Sequence, residues 1–361
     1  MRLRKAALAA TVGVLATTVL AAPALTSAAP AASARGLDGV AYARVSAENP
    51  YVETPTAPGA AIASVWSPAM GTQVPVEVRR PAGGRENAPV MYLLNGSSGG
   101  EEGDDWTRAT DAGTFYSARE VWSVTPIGGS ASYYADWRAV DPAANFRFGV
   151  TSDRPLRWET FLTSELPAAF ESRHGGSGPG RSRGLAGISM SGNAVVRIAE
   201  KHPGLYRAVG AYSGCAEIAS LPGQVLTRVV TAIPGAADAS NMYGPPGDPQ
   251  WVAEDPVVNA VKLRDHTPAL WISAGNGLPG GHDTLTDPRI NGDVLQLAQQ
   301  LTAGGLAEAA TLYCTVNLTR RLTELGIPHT ARFTPNGTHS WGYWEDQMHE
   351  SWPTFAGALG V

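Results

Sequence analysis

One serine, one histidine and two acidic residues are the groups through which this sequence could do chemistry. Ser189 stands in the stretch Gly184-Leu185-Ala186-Gly187-Ile188-Ser189-Met190-Ser191-Gly192-Asn193-Ala194-Val195-Val196. Small and apolar residues up to Ile188 read as a buried strand, and the apolar run Ala194 to Ala199 reads as a helix. A serine at the sharp turn between them is placed as a nucleophile. Gly187 supplies the small residue two positions before it; two positions after it stands Ser191, with Gly192 one step later. A serine hydroxyl needs a base to take its proton. Of the seven histidines, His174, His202, His266 and His329 fall at helix ends or turns and read as surface or capping groups, and His349 lies in the final helix. His282 and His339 lie in loops after strands, and position after the last strand selects His339. The acid is Asp283, just past the strand before the histidine strand, or Glu308, in the following helix. A charge at a helix start such as Gly304-Gly305-Leu306-Ala307-Glu308 also serves as a helix-dipole charge, and the residues alone leave both open. The tetrahedral oxyanion needs amide donors: Met190, after the nucleophile, and Ser97, in the loop Asn95-Gly96-Ser97-Ser98-Gly99-Gly100.

The elements around these groups alternate. Ala61–Trp66 and Val74–Arg79 read as a hairpin across Pro68-Ala69-Met70-Gly71. Short apolar runs at 89–94, 121–126, 184–188, 208–212 and 268–273 read as buried strands, and His329–Phe333 as the last strand. Helices are expected at 114–120, 158–173, 306–325 (stopping at Gly326) and 341–359. Residues 217–265 read as a helical insertion, 278–304 as an irregular excursion, and 35–60 as beginning in loose chain. Tyr133-Tyr134-Ala135-Asp136-Trp137 reads as a long surface loop whose aromatics either pack locally or touch sugar. Strands alternating with helices give an α/β class, a mostly parallel central sheet with helices on both faces. The order serine, acid, histidine is that of the α/β-hydrolase fold, whose ligands bind beyond the carboxyl ends of the strands.

The chain has 361 residues, 43 % of them apolar, enough for a large core. A net charge of −5 argues against a nucleic-acid partner. Arg2, Arg4 and Lys5, the apolar run Ala6–Ala21, and small-residue sites at Ala22-Pro23-Ala24 and Ala32-Ser33-Ala34 read as a cleaved secretory signal over 1–34. A single domain over 35–361 follows it, with no transmembrane segment in the mature chain. The two cysteines, Cys215 and Cys314, then meet an oxidising compartment and are expected to pair. The bridge would close a loop of roughly a hundred residues and stabilise by ~4 to 5 kcal/mol in the chain-entropy picture.

The motifs resemble those of the mycolyltransferases of mycolic-acid-containing actinobacteria, the antigen 85 type. They are Tyr92-Leu93-Leu94-Asn95-Gly96, Pro126-Ile127-Gly128-Gly129-Ser130, Tyr134-Ala135-Asp136-Trp137, Trp158-Glu159-Thr160-Phe161-Leu162-Thr163, Gly187-Ile188-Ser189-Met190-Ser191-Gly192, Asn241-Met242-Tyr243-Gly244-Pro245, Gly275-Asn276-Gly277 and Asn336-Gly337-Thr338-His339-Ser340-Trp341. In order, they cover nearly all of the chain from about Asn49. The resemblance implies a triad of Ser189, Glu308 and His339, oxyanion donors at Ser97 and Met190, and Trp341 beside the sugar. It also implies acyl transfer from trehalose monomycolate to trehalose monomycolate or cell-wall arabinogalactan, with no metal or organic cofactor. The aspartate and arginine with which antigen 85 members bind trehalose are replaced by Asn95 and Ser98, and Gly100 and Ala109 replace further polar sugar contacts. The Asn-Gly loop looks like the corynebacterial and rhodococcal branch.

Overall fold

Strand β4 (Val90–Leu94) lies inside a nine-stranded sheet, and all five of its residues are buried. Water is excluded from both faces, which is why the strand reads as an unbroken apolar run rather than an alternating one. In this computed structural model the described residues are 43–85, 87–147, 153–175, 182–233 and 236–361. The expected leader over 1–34 lies outside them.

The strands are β1 (Tyr51–Ala57), β2 (Ala60–Ser67), β3 (Thr72–Arg79), β4, β5 (Trp122–Pro126), β6 (Arg183–Ile188), β7 (Ala208–Tyr212), β8 (Ala269–Ala274) and β9 (Thr330–Phe333). Their spatial order is β1-β2-β3-β5-β4-β6-β7-β8-β9. The first three strands and β5 pair antiparallel; from β5 through β9 every pair is parallel. The main helices are α1 (Ala112–Ser117), α2 (Leu166–His174), α3 (Met190–Lys201), α4 (Leu221–Ala232), α5 (Gly305–Glu324) and α6 (Trp341–Leu359).

Side chains alternate across each strand and so build two cores. Tyr92, Leu94, Leu185, Val209 and Ile272 point to one face, where they meet Val195 and Ile198 of α3, Phe170 of α2 and Leu318 of α5. Met91, Leu93, Ala186, Ile188 and Trp271 point to the other, against Phe115 of α1 and Met348 and Phe355 of α6. Each fully buried large apolar side chain contributes roughly 1.5–3 kcal/mol. This is the expected sheet with helices on both faces.

Several local expectations are corrected. Residues 51–57 are not loose chain but the edge strand β1, paired along its length with β2. Its Glu53 carboxylate meets His174 Nε2 at 2.5 Å, and the His174 ring lies among Trp122 and Phe170, so His174 is a pin for the edge and not a surface group. The aromatics of 133–137 are core: Tyr134 and Trp137 are both 0 % exposed. Arg197, itself 1 % exposed, reaches from α3 to the carbonyls of Tyr133 and Tyr134. The helix carrying Glu308 begins before Leu306: a helical turn Val294–Gln299 and a π-helical turn Gln300–Gly304 run directly into α5.

Cys215 and Cys314 are bridged, with Cα atoms 4.8 Å apart and a sequence separation of 99. The bridge joins the chain leaving β7 to α5. Beside it Thr315 Oγ1 donates to Gly214 O at 3.2 Å. No helix among the described residues is long and apolar enough to cross a membrane.

Candidate active site

Ser189 sits between β6 and α3 with φ 53° and ψ −122°. A non-glycine residue held there costs of order 1–3 kcal/mol, which the surroundings must supply. They do so in three ways. Ser189 N donates to Tyr212 O at 2.9 Å. Ser191 Oγ accepts from Ile188 N at 2.9 Å and donates to Leu94 O at 3.0 Å, tying the turn to β4. Gly187 leaves the turn room: a Cβ there would lie 2.6 Å from Ser191 Oγ. Ser191, which stands where a glycine is usual, is thus a brace for the turn.

His339 lies in the loop between β9 and α6. Its Nε2 is 2.7 Å from Ser189 Oγ, and its Nδ1 is 2.7 Å from Glu308 Oε2. With Nδ1–H donating to the carboxylate, Nε2 is left to accept from the serine hydroxyl. Glu308 is 1 % exposed in the first turn of α5. Its other oxygen accepts from Ser213 Oγ at 2.7 Å and Gly275 N at 2.6 Å. Ser213 in turn accepts from Trp344 Nε1 at 3.1 Å. The carboxylate is therefore gripped from β7, β8 and α6 while facing the imidazole.

Asp283, the other candidate acid, does not meet the imidazole. Its carboxylate accepts from Thr338 Oγ1 and Tyr343 OH, both at 2.6 Å, and from Gln300 Nε2 and Gly280 N, both at 2.8 Å. Burial works against its charge, but those hydrogen bonds outweigh it and hold its carboxyl below the ordinary range. It ties the excursion after β8 to the loop that carries His339.

The loop after β4 crosses in front of the serine, and Gly96 and Ser97 line the same cleft as Ser189 and His339. Met190 opens α3, where backbone amides have no partner within the helix and the helix dipole favours negative charge. The cleft has a volume of about 290 Å³; Asp104, Arg289, Gln300 and Trp341 also line it. A larger cavity of about 330 Å³, against Glu77 and Asp111, shares no residue with it.

Asn95, expected at the substrate, is 0 % exposed. Its Nδ2 donates to Pro126 O at 3.1 Å and its Oδ1 accepts from Trp106 N at 3.2 Å. Both ends are used inside the fold, so the side chain holds the loop's shape instead of lining the cleft. Ser98 Oγ donates to Asp104 Oδ2 at 3.1 Å, and Trp341 Nε1 donates to the other Asp104 oxygen. The three residues converge at the cleft rim, with Trp341 standing edge-on to Trp106 and Trp344. The sequence carried no signal for Asp104 or Ser213, since an isolated acid or serine has no spacing pattern, and it showed Ser191 only as a departure from the usual glycine.

A sheet of this order, with a serine at a strained strand–helix turn and a histidine after the last strand, defines an α/β-hydrolase fold. Comparison with known proteins agrees. Residues 67–355 match the family model described as an esterase. The diacylglycerol acyltransferase/mycolyltransferase Ag85A of Mycobacterium tuberculosis is 30 % identical over 303 residues, which is 82 % of this chain and 80 % of that protein. Ag85B of Mycobacterium avium is 29 % identical over 343 residues, 93 % of this chain and 94 % of that one. Among solved structures, MPT51 of Mycobacterium tuberculosis superposes with a TM-score of 0.63 at 22 % identity, covering 82 % of this chain and 97 % of that chain. A ferulic acid esterase gives 0.52 at 18 % identity, covering 83 % and 98 %; both likenesses are of fold. The chain belongs to the esterase family that includes the antigen 85 mycolyltransferases.

Proposed function

We propose that this protein is a secreted serine acyltransferase that moves a mycoloyl group from trehalose monomycolate to a sugar hydroxyl. The observation that carries this reading is the relay of two 2.7 Å contacts, Ser189 to His339 to Glu308, opening into a cleft rimmed by Trp341 and Asp104. Ser189 Oγ attacks the ester carbonyl and gives its proton to His339 Nε2. Glu308 holds the ring in the tautomer that can accept it and stabilises the imidazolium. The amides of Ser97 and Met190 stabilise the oxyanion. As the intermediate collapses, His339 returns the proton to the departing sugar oxygen, and trehalose leaves. A second sugar hydroxyl then loses its proton to His339 and attacks the acyl-enzyme, and Ser189 recovers its proton as the acylated sugar departs. The second sugar is trehalose monomycolate or arabinogalactan. The leader over 1–34 and the Cys215–Cys314 bridge fit work outside the cytoplasmic membrane.

The test is product analysis with trehalose monomycolate as sole substrate. We expect trehalose dimycolate and free trehalose in equal amounts. Free mycolic acid alone would make the protein a hydrolase, and no turnover would leave a sugar-binding relative of this fold.

A further inference from the structure

The segment between β8 and α5 forms one wall of the Ser189 cleft, and His282 is held in it from two sides. Nδ1 lies 2.9 Å from Asp287 Oδ2, and Nε2 lies 2.8 Å from Asp346 Oδ2. Asp287 belongs to the same wall. Asp346 belongs to α6, which starts two residues after His339. A neutral imidazole has one N–H and one lone pair. It would satisfy one of these carboxylates and aim its lone pair at the other, so two carboxylate partners call for the doubly protonated ring.

The packing is equally specific. The ring stands edge-on to Tyr343 at 4.9 Å. It lies over Gly342, where a Cβ would come within 2.4 Å of the imidazole Cγ. Glycine in the first turn of α6 is what admits the ring. The backbone joins in: His282 N donates to Tyr343 OH at 3.3 Å, and Gln300 Nε2 donates to His282 O at 3.1 Å.

The other charged groups nearby have partners of their own, and of them Arg289 also faces Asp287. Asp283 is taken up by Thr338, Tyr343, Gln300 and Gly280. Arg289 donates to Glu345 at 2.6 Å and stands 3.9 Å from Asp287 Oδ1. Asp287, Arg289, Gln296 and Gln300 all line the cleft, so whatever fixes this wall to α6 fixes the polar surface presented across from Ser189.

We propose that His282, as an imidazolium bridging Asp287 and Asp346, is a positioning residue that fixes the cleft wall against which the acyl acceptor binds. This rests on the acyl-transfer reading above. Burial works against the ring's charge, but the hydrogen bonds to Asp346 and Asp287 outweigh it and raise the histidine above its ordinary value. The bridge is therefore complete below the ordinary histidine range and is released as pH rises through the raised value.

The test separates the two half-reactions in the full mature chain. Acylation is read as the burst with p-nitrophenyl butyrate, and acceptor use as the KM for added trehalose, for wild type and His282→Gln across pH. We expect the trehalose KM of His282→Gln to rise about tenfold, as for loss of one charge-assisted hydrogen bond, with a much smaller change in the burst rate. The wild-type KM should climb at alkaline pH while that of the variant stays flat. A variant with wild-type trehalose KM overturns the proposal, and so do burst and KM worsening together at every pH. A wild type that releases no p-nitrophenol and passes no acyl group to trehalose removes the acyl-transfer reading itself, and the proposal with it. In a second measurement, the ring signal of His282 is titrated by NMR in wild type and Asp346→Asn. We expect its pKa to fall in the variant, and an unchanged titration would overturn the bridge.

Discussion

Glu308 divides its carboxylate between two tasks, one oxygen on His339 and the other on Ser213 and Gly275. Removing its charge should leave the ring unable to hold the productive tautomer. We expect Glu308→Gln to lower kcat/KM for ester substrates by about 10⁴-fold, the size found for losing the acid of such triads. Ser213→Ala keeps the acid but frees its second oxygen and takes the partner from Trp344 Nε1; we expect about a tenfold loss, read in kcat more than in KM. The sequence made Ser189 and His339 legible, because strand-turn-helix spacing and chain order are local signals. It did not separate Glu308 from Asp283 without the family resemblance. Both are single carboxylates after a strand, and what distinguishes them is which one the folded chain turns toward the imidazole. Asn95 misled for a related reason: a polar residue in a glycine-rich loop looks the same whether it faces the cleft or, as here, Pro126 and Trp106.

Helix α3 is positioned by a buried charge cluster as well as by its apolar face. Arg197 donates to Tyr243 OH at 2.7 Å and to the carbonyls of Tyr133 and Tyr134, and its Nε lies 3.4 and 3.3 Å from Glu159 and Glu254. Burial opposes the charge on Glu159, but His202, Arg197 and Lys201 outweigh it and hold its carboxyl down to about 2. Because its folded value lies below the unfolded one, its contribution is present above the ordinary carboxylate range and is lost as pH falls toward 2. We expect Glu159→Gln to cost about 3 kcal/mol at pH 7 in urea unfolding, with the gap to wild type closing in strong acid. At this scale the buried parallel strands were readable as apolar runs. Edge strand β1 was not: Tyr51–Ala57 carries a glutamate and a proline, and it is a strand through pairing with β2 and the Glu53–His174 contact. Of the two roles left open for the aromatic loop, packing is the one observed; its surface placement was wrong, and the Arg197 that binds its carbonyls lies some sixty residues further along the chain.

Across the whole molecule, the candidate triad is drawn from three parts of the chain, and the Cys215–Cys314 bridge ties the helix that carries Glu308 to the exit of β7. It closes a 99-residue loop between the exit of β7, next to Ser213, and α5, which carries Glu308. The chain-entropy picture gives ~4 to 5 kcal/mol for such a loop, and measured values are usually smaller. We expect the double variant Cys215→Ala, Cys314→Ala to melt lower by calorimetry and to lose activity with heating before the wild type does. That the chain belongs to the esterase family follows from the family match and its relatives; that it transfers an acyl chain through Ser189 is the step that most needs a direct reading. The decisive measurement is intact-protein mass spectrometry after mixing the mature enzyme with trehalose monomycolate, with Ser189→Ala alongside and with trehalose added afterwards. We expect wild type to gain one mycoloyl mass, Ser189→Ala to gain none, and trehalose to clear the adduct as a glycolipid. An adduct that persists in Ser189→Ala, or one that clears only as free acid, would contradict acyl transfer through this serine.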